Sequence, residues 1–221
     1  MKENGKTALI LGATGLTGGI LLQLLLENGA YDKVKLFSRS SIGFTHPKME
    51  EYVINLFQLE KFKSDFIGDE VYCCIGTTKK KTPNNEMYKN IDYGIPVKAA
   101  QLAKENKIET ILIISALGAN AESSIFYNRI KGEMENAVLN LHIKNTYILQ
   151  PSLIGGNRLE KRFGEQFFKQ VMKLLHFVLV GPLEKYKTIE PITIAKAMIW
   201  LANNDFNKNR IESDELKKLA H

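Results

Sequence analysis

Residues 7–26 read TALILGATGLTGGILLQLLL, and this stretch decides the fold of the chain. It begins with a short apolar segment, Thr7 to Leu11, of the kind that forms a buried strand. After a turn comes a leucine-rich segment, Leu16 to Glu27, which is long enough for a helix and stops at Asn28-Gly29. Three glycines spaced three residues apart mark the turn as G-x-x-G-x-x-G, and they are Gly12, Gly15 and Gly18.

A strand, a glycine turn and a helix in this order lay a dinucleotide pyrophosphate on the helix N-terminus. Free backbone N–H groups face the phosphates there, and a side chain at any of the three glycines would obstruct the approach. Lys2 and Lys6 precede the stretch, as basic residues precede a signal peptide. The glycines and threonines in its middle, however, leave apolar runs too short to span a bilayer. The stretch therefore predicts a nucleotide site rather than secretion or a membrane anchor.

The composition is that of an ordinary globular chain. With 221 residues, of which 44% are hydrophobic and 24% charged, it is long enough for one domain with a substantial core. We divide it into a Rossmann core at residues 1–150 and a small C-terminal lobe at residues 151–221 that is not independent. The neighbouring cysteines Cys73 and Cys74 lie in an apolar run, which predicts buried thiols in a reducing compartment and a cytoplasmic protein.

The net charge of +6 at pH 7 raises the question of nucleic acid. Basic residues are spread along the chain, and the one compact run, Lys79 to Lys81, has no nucleic-acid-binding motif around it. We expect no nucleic-acid partner and no membrane partner, and the charge suits an anionic cofactor. No metal site is predicted, because four histidines lack acidic or cysteine companions at ligand spacing: His46, His142, His176 and His221.

Strand-like and helix-like segments alternate through the first 150 residues. Beyond the first unit, the patterns predict strands at Lys33–Ser38, Glu51–Ile54, Val71–Ile75, Thr110–Ile114 and Thr146–Leu149. Helices are predicted over residues 88–106, where Pro96 implies a kink or a late start, and over 124–141, 165–175 and 192–203. The alternation is typical of an α/β Rossmann-type, doubly wound parallel sheet. After residue 203 we expect a short charged tail.

The end of the second strand bears on cofactor choice. An acidic side chain there would bind the adenosine ribose of NAD, whereas a basic one accommodates the 2′-phosphate of NADP. The chain has Ser38-Arg39-Ser40 and no carboxylate between Val34 and Lys48. The guanidinium of Arg39 can pair with the phosphate while Ser38 or Ser40 donates a hydrogen bond. We therefore predict NADP over NAD, the alternative being that Arg39 is an ordinary exposed arginine.

Tyr127 and Lys131 form Y-N-R-I-K on a predicted helix. Side chains four residues apart lie on one face of a helix. This pair suits carbonyl reduction or alcohol oxidation, because Tyr127 can give its hydroxyl proton to the forming alkoxide while hydride arrives from a nicotinamide. A free tyrosine has a pKa near 10, and we expect the ammonium of Lys131 to lower the pKa of Tyr127 toward neutrality.

The spacing alone is not specific. With eight tyrosines and 25 lysines, about one Y-x-x-x-K is expected by chance, and Tyr31 to Lys35 is a second match. Tyr31 is predicted in a turn and Lys35 in a strand, so those side chains need not meet. Tyr127 and Lys131, by contrast, follow the fifth strand at the carboxyl edge where such sheets bind ligands.

The chain resembles the short-chain dehydrogenase/reductase superfamily, and more narrowly the atypical branch of NmrA-like and Tat-interactive-protein-like oxidoreductases. The runs LILGATGLTG, LFSRS, CCIGTT, IISALGAN, YNRIKGEMENAV and LQPSLIGGNR carry the likeness. It implies a nicotinamide dinucleotide and a small-molecule carbonyl or alcohol substrate.

The resemblance also implies roles for individual residues. Gly12, Thr14, Gly15, Leu16 and Thr17 would hold the pyrophosphate, and Arg39 and Ser40 the 2′-phosphate. Asn55 and Leu56 would flank the adenine, Gly76 and Thr77 would line the cleft, and Asn90 would support it from the next helix. Pro151 to Leu153 would approach the nicotinamide carboxamide.

Ser115 would complete a Ser–Tyr–Lys set. Many relatives carry two or three serines after the fifth strand, whereas this chain has Ser115-Ala116-Leu117. Two possibilities stay open: Ser115 orients the substrate carbonyl, or its hydroxyl faces away from the cleft. Ser123 and Ser124 are nearby substitutes, although either could simply cap the helix.

Three functions are compatible with these residues. The leading hypothesis is an NADP-dependent oxidoreductase acting on a carbonyl or alcohol, or an isomerising relative that uses the same cofactor. The second is a non-catalytic NAD(P)-binding redox sensor, and the third is a scaffold without nucleotide. The basic loops at residues 79–85 and 157–164 are compatible with an anionic substrate. A monomer and a homodimer are both compatible with the chain.

Overall fold

A computed structural model describes residues 5–155 and 181–220. Seven parallel strands form one sheet in the order β3-β2-β1-β4-β5-β6-β7. The strands are β1 (Lys6–Leu11), β2 (Tyr31–Ser38), β3 (Met49–Val53), β4 (Glu70–Cys73), β5 (Thr110–Ile114), β6 (Asn145–Gln150) and β7 (Arg210–Glu212). The order reverses between β1 and β4, which opens a crevice at the carboxyl ends of these two strands. The predicted doubly wound α/β sheet is confirmed.

Helices cover both faces of the sheet. They are α1 (Leu16–Glu27), α2 (Asn85–Lys89), α3 (Ile95–Glu105), α4 (Phe126–Leu139), α5 (Pro191–Asn203) and α6 (Ser213–Leu219). Side chains alternate along β1, so that Ala8 and Ile10 join one core with α1 and α5, while Leu9 and Leu11 join the other with α3 and α4. Short 3₁₀ turns lie at Leu56–Phe62 and Gly181–Tyr186.

The predicted break near Pro96 is confirmed. The helical path from Asn85 contains one π-helical turn, Asn90–Gly94, before α3 begins. Pro96 lies in the first turn of α3, next to Ile95, whose N–H donates to the carbonyl of Asn90 across the π-helical turn. The π-helical turn rotates the residues around it and so determines which side chain faces the cleft.

The prediction of a charged tail after residue 203 is wrong. Strand β7 extends the sheet by pairing with β6, and α6 follows it directly. Ile211 and Leu216 are fully buried in the core. A three-residue strand is too short to show any periodicity, so only pairing with a neighbouring strand reveals it. The helix predicted over residues 165–175 lies outside the described residues.

Two smaller predictions need correction. Tyr31 begins β2 instead of lying in a turn, because residue 31 already pairs with Lys6 of β1. Cys73 is buried as expected, but Cys74 is only partly buried and points to the opposite face. None of the described helices is long and apolar enough to cross a bilayer.

Candidate functional site

The glycine turn between β1 and α1 is shaped by close contacts that exclude side chains. Gly12 has φ +90°, in the left-handed region that favours glycine. A Cβ built on Gly18 would lie 2.2 Å from the carbonyl oxygen of Gly12, and one on Gly15 would lie 3.1 Å from the same atom. Gly18 is therefore required for helix–turn packing, and it is not among the residues that line the cleft described below.

The N-terminus of α1 is free to receive an anion. Its N-cap, Gly15, provides no side-chain hydrogen bond, and the first turn contains no acidic residue. Backbone N–H groups and the positive dipole end are thus left for a ligand. Gly15, Leu16 and Thr17 line a cleft here, whereas Thr14 is exposed and does not line it. These features fit the pyrophosphate of a dinucleotide.

The cleft has a volume of about 1180 Å³, larger than most drug-sized pockets. It runs from α1 across the carboxyl ends of β4, β5 and β6. The structure brings together in its wall ten of the residues predicted from the sequence: Gly15, Leu16, Thr17, Gly76, Thr77, Ser115, Tyr127, Lys131, Pro151 and Leu153.

The other predicted cofactor residues lie outside the lining of this cleft. Arg39 and Ser40 are exposed after β2, and the buried Ser38 hydroxyl donates to the carbonyl of Ser40 at 2.8 Å. The side chain of Asn55 accepts from the N–H of Phe57, which starts the following turn. The side chain of Leu56 is buried in the core, so that only its backbone can face a ligand. Asn90 is exposed on the π-helical turn.

Tyr127 and Lys131 both reach the cleft from α4. The Tyr127 side chain is 38% exposed, which leaves its ring accessible to a ligand. Lys131 is buried, and its ammonium Nζ lies 3.5 Å from the carbonyl oxygen of Ile114 at the end of β5. A long cationic side chain is rarely buried without a partner.

The partner is Asp92, which sequence reasoning missed. Asp92 is fully buried on the π-helical turn, and its Oδ1 lies 3.0 Å from Nζ of Lys131. Its Oδ2 accepts the backbone N–H of Thr77 at 2.8 Å, while among the described residues Oδ1 has no hydrogen bond besides the ion pair with Lys131. Nothing in the sequence links residues so far apart along the chain, and a regular helix in place of the π-helical turn would point residue 92 elsewhere.

The pKa of Tyr127 is raised, which corrects the expectation that Lys131 lowers it toward neutrality. Burial of the phenol is the largest cause, the Asp92 carboxylate adds to it, and the Lys131 ammonium only partly opposes both. Burial disfavours the charge on Lys131, but Asp92 and Tyr127 outweigh it, and the pKa of Lys131 is also raised. In the protein alone, the pair therefore carries its protons.

Ser115 lines the cleft, but its hydroxyl is engaged. It donates to Glu135 Oε1 at 2.5 Å, and Glu135 is buried one helical turn beyond Lys131. Gln150 of β6 and Arg210 of β7 also donate to this carboxylate. A serine has one hydroxyl proton, so that Ser115 in this arrangement presents only acceptor lone pairs to the cleft. Ser123 instead binds the N–H of Ile125 at the start of α4.

The outer wall of the cleft combines cations and apolar surface. Lys80 and Lys81 line it from the loop after β4, while Lys79 lies over the ring of Phe126 at 4.4 Å. Leu153, Tyr186 and the Lys185–Glu212 ion pair form the opposite side. In the described part of the chain, no group of three or more His, Cys, Asp or Glu side chains is arranged to hold a metal ion.

Two curated relatives are similar to most of the chain. Protein FMP52-1, mitochondrial, of Scheffersomyces stipitis is 32% identical over 176 residues, covering 77% of this chain and 77% of that protein. Protein HTATIP2 of Rattus norvegicus is 31% identical over 168 residues, covering 74% and 69%. No protein-family model matches the chain.

Solved structures share the fold at low sequence identity. The Helicobacter pylori ADP-L-glycero-D-manno-heptose-6-epimerase superposes with a TM-score of 0.68 at 15% identity, over 96% of this chain and 80% of that one. The Bacillus cereus UDP-glucuronic acid 4-epimerase in complex with NAD superposes with a TM-score of 0.65 at 16% identity, over 93% and 78%. These likenesses support the Rossmann-type architecture.

The names of the relatives overturn the cytoplasmic prediction. FMP52 proteins of several yeasts are named mitochondrial. The prediction failed because composition and buried thiols report on the folded core, and a core of this kind forms equally well in different compartments. The compartment of a protein depends on targeting signals that the transport machinery recognises, and the packing of the core does not determine these signals.

Proposed function

This chain belongs to the family of the FMP52 and HTATIP2 proteins, an atypical branch of the short-chain dehydrogenase/reductase superfamily, and on that premise we propose that it is an NADP-dependent oxidoreductase acting on a carbonyl or alcohol. The observation that supports this most is that Tyr127 and Lys131 open onto the same cleft as the glycine turn. A proton donor next to a nucleotide-binding turn is what hydride-transfer chemistry requires.

The residues around the cleft suit a nicotinamide dinucleotide. Gly15 and the first N–H groups of α1 would hold the pyrophosphate, and Gly76 and Thr77 would follow the chain of the cofactor along β4. Pro151 and Leu153 would flank the nicotinamide from the end of β6. When bound, the nicotinamide supplies or accepts the hydride of the reaction.

The chain itself would move the proton. In the reducing direction, the Tyr127 hydroxyl donates its proton to the carbonyl oxygen of the substrate as negative charge develops there. Lys131 lies one helical turn further on and stabilises the phenolate that remains. Its remaining N–H group can also bond a ribose hydroxyl of the cofactor. Exposed apolar surface on Leu153 and Tyr186 would receive the substrate body.

The preference for NADP is proposed on the basis of Arg39. Its guanidinium follows β2, is exposed, and has no hydrogen bond or ion pair with any described residue. An arginine pairs with a phosphate through two charge-assisted hydrogen bonds. The R39A variant should bind NADPH about tenfold more weakly, which corresponds to about 1.4 kcal/mol, while its affinity for NADH stays unchanged.

Calorimetric titration of both nucleotides into the wild type and R39A measures this difference. A matched control is K48A, which removes a cation from the segment just before β3. Equal losses for NADPH and NADH in R39A would contradict the assignment of Arg39 to the 2′-phosphate.

Replacement of Tyr127 tests the reaction. A panel of aldehydes, ketones and alcohols, with anionic members because Lys80 and Lys81 line the cleft, is screened with NADPH or NADP by absorbance at the nicotinamide band. For any substrate found, the Y127F variant should lose activity about 100-fold or more, since a general acid contributes roughly 10²–10⁴-fold. Nucleotide affinity should remain within about twofold. Unchanged turnover in Y127F would rule out this mechanism.

A second candidate is a non-catalytic sensor of the dinucleotide, and the contact between Ser115 and Glu135 favours it. Because the Ser115 hydroxyl donates to a carboxylate, it is not available to orient a carbonyl. In a sensor, Y127F would leave every function intact, and nucleotide binding alone would carry the signal. Tight nucleotide binding combined with no turnover across the panel would favour this candidate.

A further inference from the structure

We propose that Asp92 is a positioning residue that keeps the Tyr127 hydroxyl protonated and the Lys131 amine charged, and so sets the site for carbonyl reduction rather than alcohol oxidation. This inference rests on the proposed function, because it assigns the direction of that reaction. It arises from the buried Asp92–Lys131 contact, which the Tyr–Lys chemistry does not by itself require.

The position of Asp92 is held from two sides. The backbone N–H of Thr77, at the end of β4, donates to Oδ2, and the π-helical turn directs Oδ1 to Lys131. Gly76 lies beside this contact, since a Cβ there would be in ordinary van der Waals contact with Oδ1 at 3.6 Å and with Nζ at 3.8 Å. The carboxylate is fully buried, so water does not screen it from its neighbours.

The charge of the Asp92 carboxylate acts on both partners. Lys131 loses its proton less readily beside an anion, and Tyr127 gains negative charge less readily near one. Without Asp92, the ammonium would be the nearest charge to Tyr127 and would draw the phenol toward ionisation. Burial of the phenol is the largest influence and favours its neutral form, and the Asp92 carboxylate opposes the pull of the Lys131 ammonium toward ionisation.

Other titratable groups face this pair from the surrounding elements. They are Cys73 of β4, Tyr88 of α2, Lys80 and Lys81 of the loop after β4, and Lys185 and Glu212 on the far wall. The thiol of Cys73 is neutral at pH 7, because burial raises its pKa to about 11. The pKa of Tyr88 is likewise raised by burial. Asp92 is therefore the carboxylate that acts on both members of the pair.

A protonated pair serves one direction of the reaction. Reduction of a carbonyl consumes one hydride from a reduced nicotinamide dinucleotide and one proton from the Tyr127 hydroxyl, which is regained from water. Oxidation of an alcohol needs the reverse, a phenolate that removes the hydroxyl proton of the substrate. Because the pair holds its protons at neutral pH, the phenolate is scarce, and oxidation becomes appreciable only at alkaline pH.

The test measures protonation directly and needs no substrate. Protein labelled with [¹³Cζ]tyrosine and [¹³Cε]lysine is titrated by NMR, and the Tyr127 and Lys131 signals are assigned by their loss in Y127F and K131M. In the wild type, both groups should stay protonated up to about pH 10. In D92N, one of the two should lose its proton at a pH lower by about one unit or more. E133Q, which removes a carboxylate on the outer side of α4, should leave both unchanged.

Two results would overturn the proposal. The first is that Tyr127 and Lys131 in D92N lose their protons at the same pH values as in the wild type. The second is that Tyr127 of the wild type already ionises below about pH 9, under the pKa of a free tyrosine. The second result can be measured even if D92N does not fold.

The titration also separates this inference from the proposed function, because absence of turnover would refute the oxidoreductase alone. With a substrate in hand, D92N should shift the pH dependence of alcohol oxidation toward neutrality, and an unshifted profile would contradict the assigned direction.

Discussion

Two carboxylate–lysine pairs, each with a buried carboxylate, lie at opposite ends of the sheet, and they differ in how completely their polar groups are bonded. Glu70 and Lys6 meet at 2.5 Å at the amino ends of β4 and β1. Asp92 and Lys131 meet at 3.0 Å at the carboxyl end, beside the cleft. Each pair also lies next to the tyrosine of a Y-x-x-x-K match. Tyr31, the tyrosine of the Tyr31/Lys35 match, contacts Glu70, and Tyr127 shares its match with Lys131 itself.

In the pair at the amino end, both oxygens of the carboxylate accept hydrogen bonds. Glu70 Oε2 accepts from the hydroxyls of both Tyr31 and Tyr72, and Oε1 accepts from Lys6. Lys6 also donates to the carbonyl of Ala202 and the side chain of Asn203, which ties α5 to the sheet. Within the described residues, the polar groups of this cluster bond one another, so its role is to hold strands and helix together.

The pair at the carboxyl end is incomplete. In the part of the chain that the structure describes, Asp92 Oδ1 has only the Lys131 contact, and Lys131 keeps bonding capacity toward the cleft. The same residue types thus stabilise the fold where every group is bonded and provide chemistry where bonding capacity remains. The number of unsatisfied groups, rather than the Y-x-x-x-K spacing, distinguishes the two.

The largest expected difference between the two pairs is in the free energy of unfolding after one negative charge is removed from each. E70Q should lower the free energy of unfolding by about 3 kcal/mol, because the buried hydroxyls of Tyr31 and Tyr72 lose a charged acceptor. D92N should lower it by less than half as much, since the amide oxygen of the D92N side chain can still accept from Thr77 and the unpaired Lys131 can lose its proton.

Urea unfolding at pH 7 of both variants measures this difference, with E122Q as the control for loss of an exposed carboxylate. Nucleotide affinity should be unchanged in E70Q. A loss in D92N equal to that in E70Q would show that both pairs are structural.

A smaller difference is expected in how stability falls at alkaline pH, where Tyr72 at the amino end of the sheet is compared with Tyr127 at the carboxyl end. The Tyr72 pKa is raised well above its usual value, chiefly by burial and by Glu70. Tyr72 therefore keeps its proton in the folded state after the unfolded chain has lost it. Stability from this group is fully present below about pH 10, the unfolded pKa, and is lost above it, by up to about 1.4 kcal/mol per pH unit.

Unfolding by urea between about pH 8 and pH 11, a range that brackets the unfolded tyrosine pKa, tests this sign. Y72F should make the decline in stability at the alkaline end shallower than in the wild type. Y127F should change the slope less, because the Lys131 ammonium partly opposes the rise in the pKa of Tyr127, whereas Glu70 adds to the rise in the pKa of Tyr72. A steeper decline in Y72F, or a larger effect of Y127F, would contradict this ranking.

Much of the fold was predictable because its signals are local. Helix α1 and strand β5 have the predicted bounds, and the other predicted strands of the first 150 residues differ by one or two residues at their ends. Their apolar runs are long enough to show a period and are bounded by glycine, proline or asparagine. Strand β7 was missed, since its three residues become a strand only by pairing with β6.

The candidate site was predictable in part for the same reason. Tyr127 and Lys131 share a helix, so their spacing alone places them on one face, and the structure agrees. The contacts that adjust them come from distant parts of the chain. Asp92 comes from a π-helical turn, and Glu135 is joined to Ser115, Gln150 and Arg210 from three different strand ends.

The residue order was thus sufficient for the glycine turn, the alternating strands and helices, and the Tyr–Lys pair, because each is a matter of near neighbours along the chain. Tertiary packing alone decided that Lys131 meets Asp92, that the Ser115 hydroxyl faces Glu135, and that the pKa of Tyr127 rises instead of falling. The reason is physical. Protonation depends on burial and on charges within a few ångströms, and those charges are brought close by folding from positions far apart in sequence.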